Sequence, residues 1–187
     1  MVSLMSLVIP ILVSAVVVFI ASAILHMVTP FHQNDLRKVP REDEFLAAIR
    51  QFDLPAGDYA APHADSAAAM KDPVFLEKRA KGPTILMTLT PGAPPAMSTH
   101  LIKWFIYCVV VTIMAAYIAS RTLPAGTDYL QVFRIVGTAA FMAYSVALAQ
   151  NSIWYMKNSG ATFRSMIDGL AYALLTAGVF GSMWPGA

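Results

Sequence analysis

The sequence predicts an all-α membrane protein with four transmembrane helices and a small cytoplasmic α(+β) insertion between helices 1 and 2. Charged residues make up only 13% of the 187 residues, whereas soluble domains contain roughly 25%. The apolar residues are concentrated in four blocks, each long enough to cross a bilayer. The three tryptophans lie at the ends of these blocks, as in the aromatic belts of membrane proteins: Trp104, Trp154 and Trp184.

The first predicted transmembrane helix covers residues 3–28 and contains no charged side chain. A cleaved signal peptide is the alternative, because Ala21, Ser22 and Ala23 form a small-residue pattern typical of cleavage sites. Signal peptides also need basic residues before the apolar core, and no Lys or Arg precedes Arg37. The missing charge favours a helix that is retained.

A polar insertion, residues 33–99, follows and holds most of the prolines and charged residues. Acidic residues at the start, from Glu42 to Glu44, and a basic residue near the end, Arg50, predict a helix whose end charges suit the helix dipole. Residues 54–70 are predicted to be a loop, and residues 84–90 alternate in polarity like a strand.

A second short helix in the insertion is predicted between Asp72-Pro73, a typical N-terminal pair, and Gly82-Pro83, a typical stop. Pieces this short bury little core by themselves. We therefore expect the insertion to rest on the membrane surface, the helix bundle or a partner.

The remaining predicted transmembrane helices cover residues 101–120, 130–154 and 165–184. Small residues recur every four positions in the last two, and such flat surfaces let helices approach closely in lipid. These candidate helix-packing residues are Ala139, Ala143 and Ala147 in the third helix and Gly169, Ala173, Ala177 and Gly181 in the fourth. The sequence thus predicts an antiparallel hairpin around which the other helices pack.

The distribution of Lys and Arg predicts the orientation, because basic residues favour the cytoplasmic ends of transmembrane segments. Seven such residues flank the insertion or lie between the third and fourth predicted helices: Arg37, Lys38, Arg41, Lys81, Lys103, Lys157 and Arg164. The opposite side has only Arg121 and Arg134. We expect a multi-pass protein of the cell inner membrane with both termini periplasmic and the insertion cytoplasmic.

Four polar residues are predicted to lie at the cytoplasmic ends of the helices: His26, His32, His100 and Asp168. His and Asp side chains form ligand sets for transition metals, so His26, His100 and Asp168 are the candidate metal ligands. The alternative is that the histidines are solvated among lipid headgroups. Asp168 also has a structural interpretation, because Ser165 and Asp168 match the spacing of a capping box at a helix start.

The run from Ile167 to Gly178, ending at Trp184-Pro185, resembles the C-terminus of small, uncharacterised bacterial inner-membrane proteins with four helices. Val132 to Gly137 and the region around His26 are similar to the same group. The resemblance implies a bacterial envelope protein with four spans, and it brings no activity.

The sequence lacks the motifs of nucleotide-binding proteins and serine hydrolases, and its lone Cys108 excludes an intrachain disulfide. No basic cluster with aromatic residues indicates nucleic-acid binding. We therefore expect a non-enzymatic accessory or assembly subunit of a larger membrane complex, with lipid and other membrane subunits as partners and no cofactor. The alternatives are a metal- or haem-binding membrane protein or small transporter using His26, His100 and Asp168, and, third, a membrane enzyme.

Overall fold

The computed structural model describes residues 2–93 and 96–186, which form two compact units. The bundle combines the chain up to Arg37 with the chain from Ala96 onward, and the insertion lies between them in sequence. Four helices are long and apolar enough to cross a membrane, the number that the sequence predicts: Leu4–Met27, Met97–Thr122, Tyr129–Trp154 and Ser159–Ser182.

The bundle is built from helix α1 (Val8–Met27, preceded by a 3-10 turn, Leu4–Leu7), α4 (Met97–Thr122), α5 (Tyr129–Tyr144), α6 (Ala149–Trp154) and α7 (Ser159–Ser182). Helices α1 and α5 each pack against both α4 and α7, so the long helices surround a common interior. Apolar side chains such as Leu7, Val18, Val136 and Phe180 fill it.

Helices α5 and α7 approach each other through small residues of α7. All four candidate packing positions on α7 are buried: Gly169, Ala173, Ala177 and Gly181. On α5 the buried line is formed by Val132, Val136, Ala140 and Tyr144. The candidate Ala139 is partly buried against this core, whereas Ala143 and Ala147 are exposed and lie off the buried line.

The third span is interrupted, although the sequence predicts one continuous helix over residues 130–154. Helix α5 ends at Tyr144, and a 3-10 turn, Val146–Leu148, separates it from α6. The Ser145 hydroxyl donates a hydrogen bond to the backbone carbonyl of Met166 in α7, at 2.9 Å. A tertiary contact thus accompanies the interruption, and a hydropathy pattern does not report such contacts.

Helix α7 begins six residues before the predicted start at residue 165. The Asn158 side chain accepts hydrogen bonds from the backbone amides of Gly160 and Ala161, which makes Asn158 the N-cap. Ser165 is therefore inside the helix, where its hydroxyl donates to the Ala161 carbonyl. The capping-box interpretation of Ser165 and Asp168 is wrong, because Asn158 already provides the cap.

The insertion contains α2 (Glu42–Arg50), β1 (Gly57–Ala61), α3 (Pro73–Lys81) and β2 (Ile85–Leu89). Both predicted helices and the predicted strand are confirmed, and the Asp72 carboxylate accepts from the backbone amides of Val74 and Phe75 as an N-cap. Strand β1 was predicted to be loop. It pairs antiparallel with β2, with Tyr59 opposite Met87.

Candidate metal centre

The end of α1 and the turn that follows it place two histidines side by side. His26 lies in the last turn of α1. The Thr29 hydroxyl donates to the carbonyl of Leu25 at 2.6 Å and caps a 3-10 turn, Pro30–His32. This turn brings the His32 ring to 4.3 Å from the His26 ring, centroid to centroid, in a stacked arrangement.

Asp168, in helix α7, lies close to both histidine rings. Its Oδ2 atom lies 2.7 Å from His32 Nε2 and 3.6 Å from His26 Nε2. One potential ligand atom from each of these three residues lies within 4.8 Å of the others. Asp168 is buried and His32 is largely buried, whereas His26 is half exposed. The cluster is therefore accessible at His26.

A second carboxylate, that of Asp35, contacts the other ring nitrogen of His32 and so orients the ring. Asp35 Oδ2 lies 2.6 Å from His32 Nδ1. Arg164, one turn before Asp168 in α7, holds Asp35 in turn, because its Nε donates to Asp35 Oδ1 at 2.7 Å and its Nη2 contacts the same oxygen. The result is a continuous polar chain from Arg164 through Asp35 and His32 to Asp168.

His32 can donate to both carboxylates only as an imidazolium, since neutral imidazole has one N–H. Burial lowers the pKa of His32, but the hydrogen bond that His32 donates to Asp35 and the charge of Asp168 outweigh it and raise the pKa above 6.5. Charged His32 therefore stabilises the fold below about pH 6.5, and this contribution is lost as the pH rises through the raised value.

The partner carboxylate shifts in the opposite direction. The hydrogen bond with His32 lowers the pKa of Asp35 below 3.8, burial opposes this, and Arg164 reinforces it. The ionised carboxylate therefore contributes stability above pH 3.8, which is lost as the pH falls through the lowered pKa. Without a metal, Asp35 and His32 thus form a stable ion pair at mildly acidic pH.

The three groups have the chemistry of a site for a divalent transition metal. Two imidazole nitrogens and a carboxylate oxygen are ligands that Zn²⁺ and its neighbours accept. A metal-bound His32 is neutral and keeps one N–H, which Asp35 accepts, and a carboxylate in this position typically fixes the ring of a metal-ligating histidine. The stacked rings of His26 and His32 cannot be the two axial ligands of a bis-histidine haem, which lie on opposite faces of the porphyrin.

Of the predicted candidates, the structure brings His26 and Asp168 together and leaves His100 outside the ligand cluster. His100 is exposed at the start of α4, and His32 occupies the place expected for it. Sequence analysis put His32 at the right depth but not in the ligand set. It missed Asp35 and Arg164, which are 129 residues apart, so no local spacing connects them.

No protein-family model, curated protein or solved structure matches this chain.

Proposed function

We propose that this multi-pass membrane protein binds a divalent transition metal ion, with Zn²⁺ as the reference ion, through His26, His32 and Asp168. The observation that carries the proposal is the convergence of three ligand atoms within 4.8 Å, with Asp35 behind His32 at 2.6 Å. An ionisable residue buried within a transmembrane helix is costly and usually functional. Asp168 is 3% exposed, and metal ligation gives its charge a use.

Metal analysis and Zn²⁺ titration of the purified protein in detergent test this proposal. We expect one ion per chain in the parent protein and at least a tenfold weaker affinity in His32→Ala, because a ligand and its orienting contact are both lost. His100→Ala is the control, since His100 lies outside the cluster, and it should bind like the parent. Equal affinity of His32→Ala and the parent would refute the site.

A second candidate function, an accessory or assembly subunit of a larger membrane complex, is favoured by the insertion. No described residue of the segment 38–93 is buried, so its helices and hairpin lack a core of their own. Large apolar side chains are instead exposed, including Phe45 at 43% and Phe52 at 68%. A partner that covers these side chains would supply the apolar contacts that the insertion lacks.

Mild-detergent purification followed by identification of bound proteins tests this second function. We expect a reproducible membrane subunit to co-purify with the parent and to be lost from Phe52→Ser, because the substitution removes exposed apolar contact area. Asp65→Asn, an exposed change within the same insertion, should retain the partner. If the two variants behave alike, the apolar surface is not the interface.

For localisation, we propose the cell inner membrane, with both termini periplasmic and the insertion cytoplasmic. The skew of Lys and Arg toward one side supports this orientation. Single cysteines at Ser66 and Gly126, in a background without Cys108, should react from opposite sides. We expect an impermeant reagent to label position 126 in intact cells and position 66 only after lysis. The reverse pattern would invert the orientation.

A further inference from the structure

A cavity of about 500 Å³, open to the protein surface, adjoins the candidate metal centre and is lined from all four spans. His26 and Asp168, two of the three candidate ligands, form part of its wall. A metal held by these residues would therefore border the cavity. Three protein ligands leave a fourth position of a tetrahedral ion for water or another ligand, which is the arrangement of catalytic rather than structural zinc sites.

Four aromatic side chains that line the cavity are in mutual contact and close a ring: Trp104, Tyr107, Tyr144 and Tyr172. The distances between neighbouring side-chain ring centroids are 5.4 Å for Trp104–Tyr107, 5.9 Å for Tyr107–Tyr144, 5.7 Å for Tyr144–Tyr172 and 6.0 Å for Tyr172–Trp104. Such aromatic faces suit the apolar part of a bound molecule, and ligand sites commonly combine such a lining with a few polar groups.

Only one of these aromatic residues has an unused polar atom. The Trp104 indole donates to the Ser22 hydroxyl at 2.8 Å, and the Tyr107 and Tyr144 hydroxyls donate to backbone carbonyls at 3.1 Å and 3.4 Å. The Tyr172 hydroxyl is buried and has no partner among the described residues. An unsatisfied buried hydroxyl is unfavourable, so a ligand oxygen that reached it would be stabilised.

The charges around the cavity favour an anion. Lys103 and His100 of α4 line it, and Lys103 forms no salt bridge within the part of the chain that the structure describes. When the metal is bound, the Asp168 carboxylate is one of its ligands, and the two positive charges of the ion exceed the single negative charge of that carboxylate. The cavity therefore has uncompensated positive charge on the α4 side.

Resting on the proposed metal site, we infer that the cavity binds an organic oxyanion with an apolar body, a carboxylate or a phosphate. The head group occupies the open metal position and faces Lys103, and the apolar body packs on the four aromatic side chains. An oxygen accepts from the Tyr172 hydroxyl once the side chains that cover this buried group have moved aside. A membrane lipid and a soluble organic acid both have this chemistry.

The experiment uses Co²⁺-loaded protein, whose visible spectrum reports changes in the ligands of the ion. One arm adds octanoate to protein in phosphatidylcholine nanodiscs, and the other replaces part of the phosphatidylcholine with phosphatidic acid. We expect the spectrum to change in at least one arm, and the responding arm identifies the source as a soluble acid or a lipid. Unchanged spectra in both arms, with Co²⁺ bound, would overturn the inference and leave the metal site standing.

Substitutions connect the response to this cavity. Lys103→Gln should weaken the response to the anion at least fivefold while Co²⁺ binds as in the parent, because Lys103 is outside the metal ligands. Tyr172→Phe should weaken it too, by removing one donor. Arg121→Gln, at the opposite end of α4, is the control and should respond like the parent. If Lys103→Gln also responds like the parent, the inference fails. If the parent protein does not bind Co²⁺, the proposed function fails with it.

Discussion

Gly169→Val is expected to lower the melting temperature of the detergent-solubilised protein, because it overpacks the α5–α7 contact. A Cβ atom at position 169 would lie 2.6 Å from the Tyr144 carbonyl oxygen and 2.8 Å from Ser145 Cβ. The oxygen belongs to the backbone, so rotation of a side chain cannot relieve this clash. Overpacking of this kind costs about 1–3 kcal/mol.

The structure offers a matched control on the same helix. A Cβ atom at Gly178 would come only within 3.7 Å of the Tyr129 hydroxyl, which is an ordinary van der Waals contact. We therefore expect Gly178→Ala to unfold at or slightly above the temperature of the parent, because alanine also favours a helix over glycine. Thermal unfolding followed by size-exclusion chromatography measures both variants. A Gly169→Val protein as stable as the parent would show that α5 and α7 do not approach as closely as described.

Gly169→Val should also weaken metal binding, because Gly169 follows Asp168 directly in α7. The Ser145 hydroxyl holds the Met166 carbonyl two residues before Asp168. The interrupted third span and the close approach at Gly169 together position the Asp168 carboxylate. We regard this contact as the link between helix packing and the candidate site.

Asp168→Ala is expected to abolish metal binding and also to destabilise the fold. The substitution removes a ligand. It also leaves His32 Nε2, which lies 2.7 Å from Asp168 Oδ2 in the parent protein, without its acceptor. An unsatisfied buried donor costs about 1–3 kcal/mol, and more when the group is charged. Zn²⁺ titration and thermal unfolding in detergent measure the two effects separately.

Asp168→Asn distinguishes loss of the ligand from loss of the fold. The amide has nearly the shape of the carboxylate and still offers an oxygen to His32, but it lacks the charge that favours metal ligation. We expect the Zn²⁺ affinity of Asp168→Asn to fall at least tenfold. Its thermal stability should remain close to that of the parent and well above that of Asp168→Ala. Unaltered affinity in Asp168→Asn would mean that Asp168 is not a ligand and that the site has to be sought elsewhere.

The elements that the sequence alone determined are those specified by local chemistry. Length and apolarity determined the four spans, because an apolar segment of about 20 residues with at most one charge has few alternatives to crossing a bilayer. Capping chemistry determined α3, since Asp72 and Pro73 favour the same start. His26 and Asp168 were recognisable because ionisable groups are rare within apolar membrane segments.

Tertiary structure alone decided the features that depend on distant partners. Strand β1 has few β-branched or aromatic residues, and it pairs with a strand about 28 residues away. The interruption after Tyr144 coincides with the contact of Ser145 with α7. The chain from Arg164 through Asp35 to His32 joins segments more than a hundred residues apart. Hydropathy and spacing describe neighbours along a helix, whereas these contacts exist only once the helices have packed.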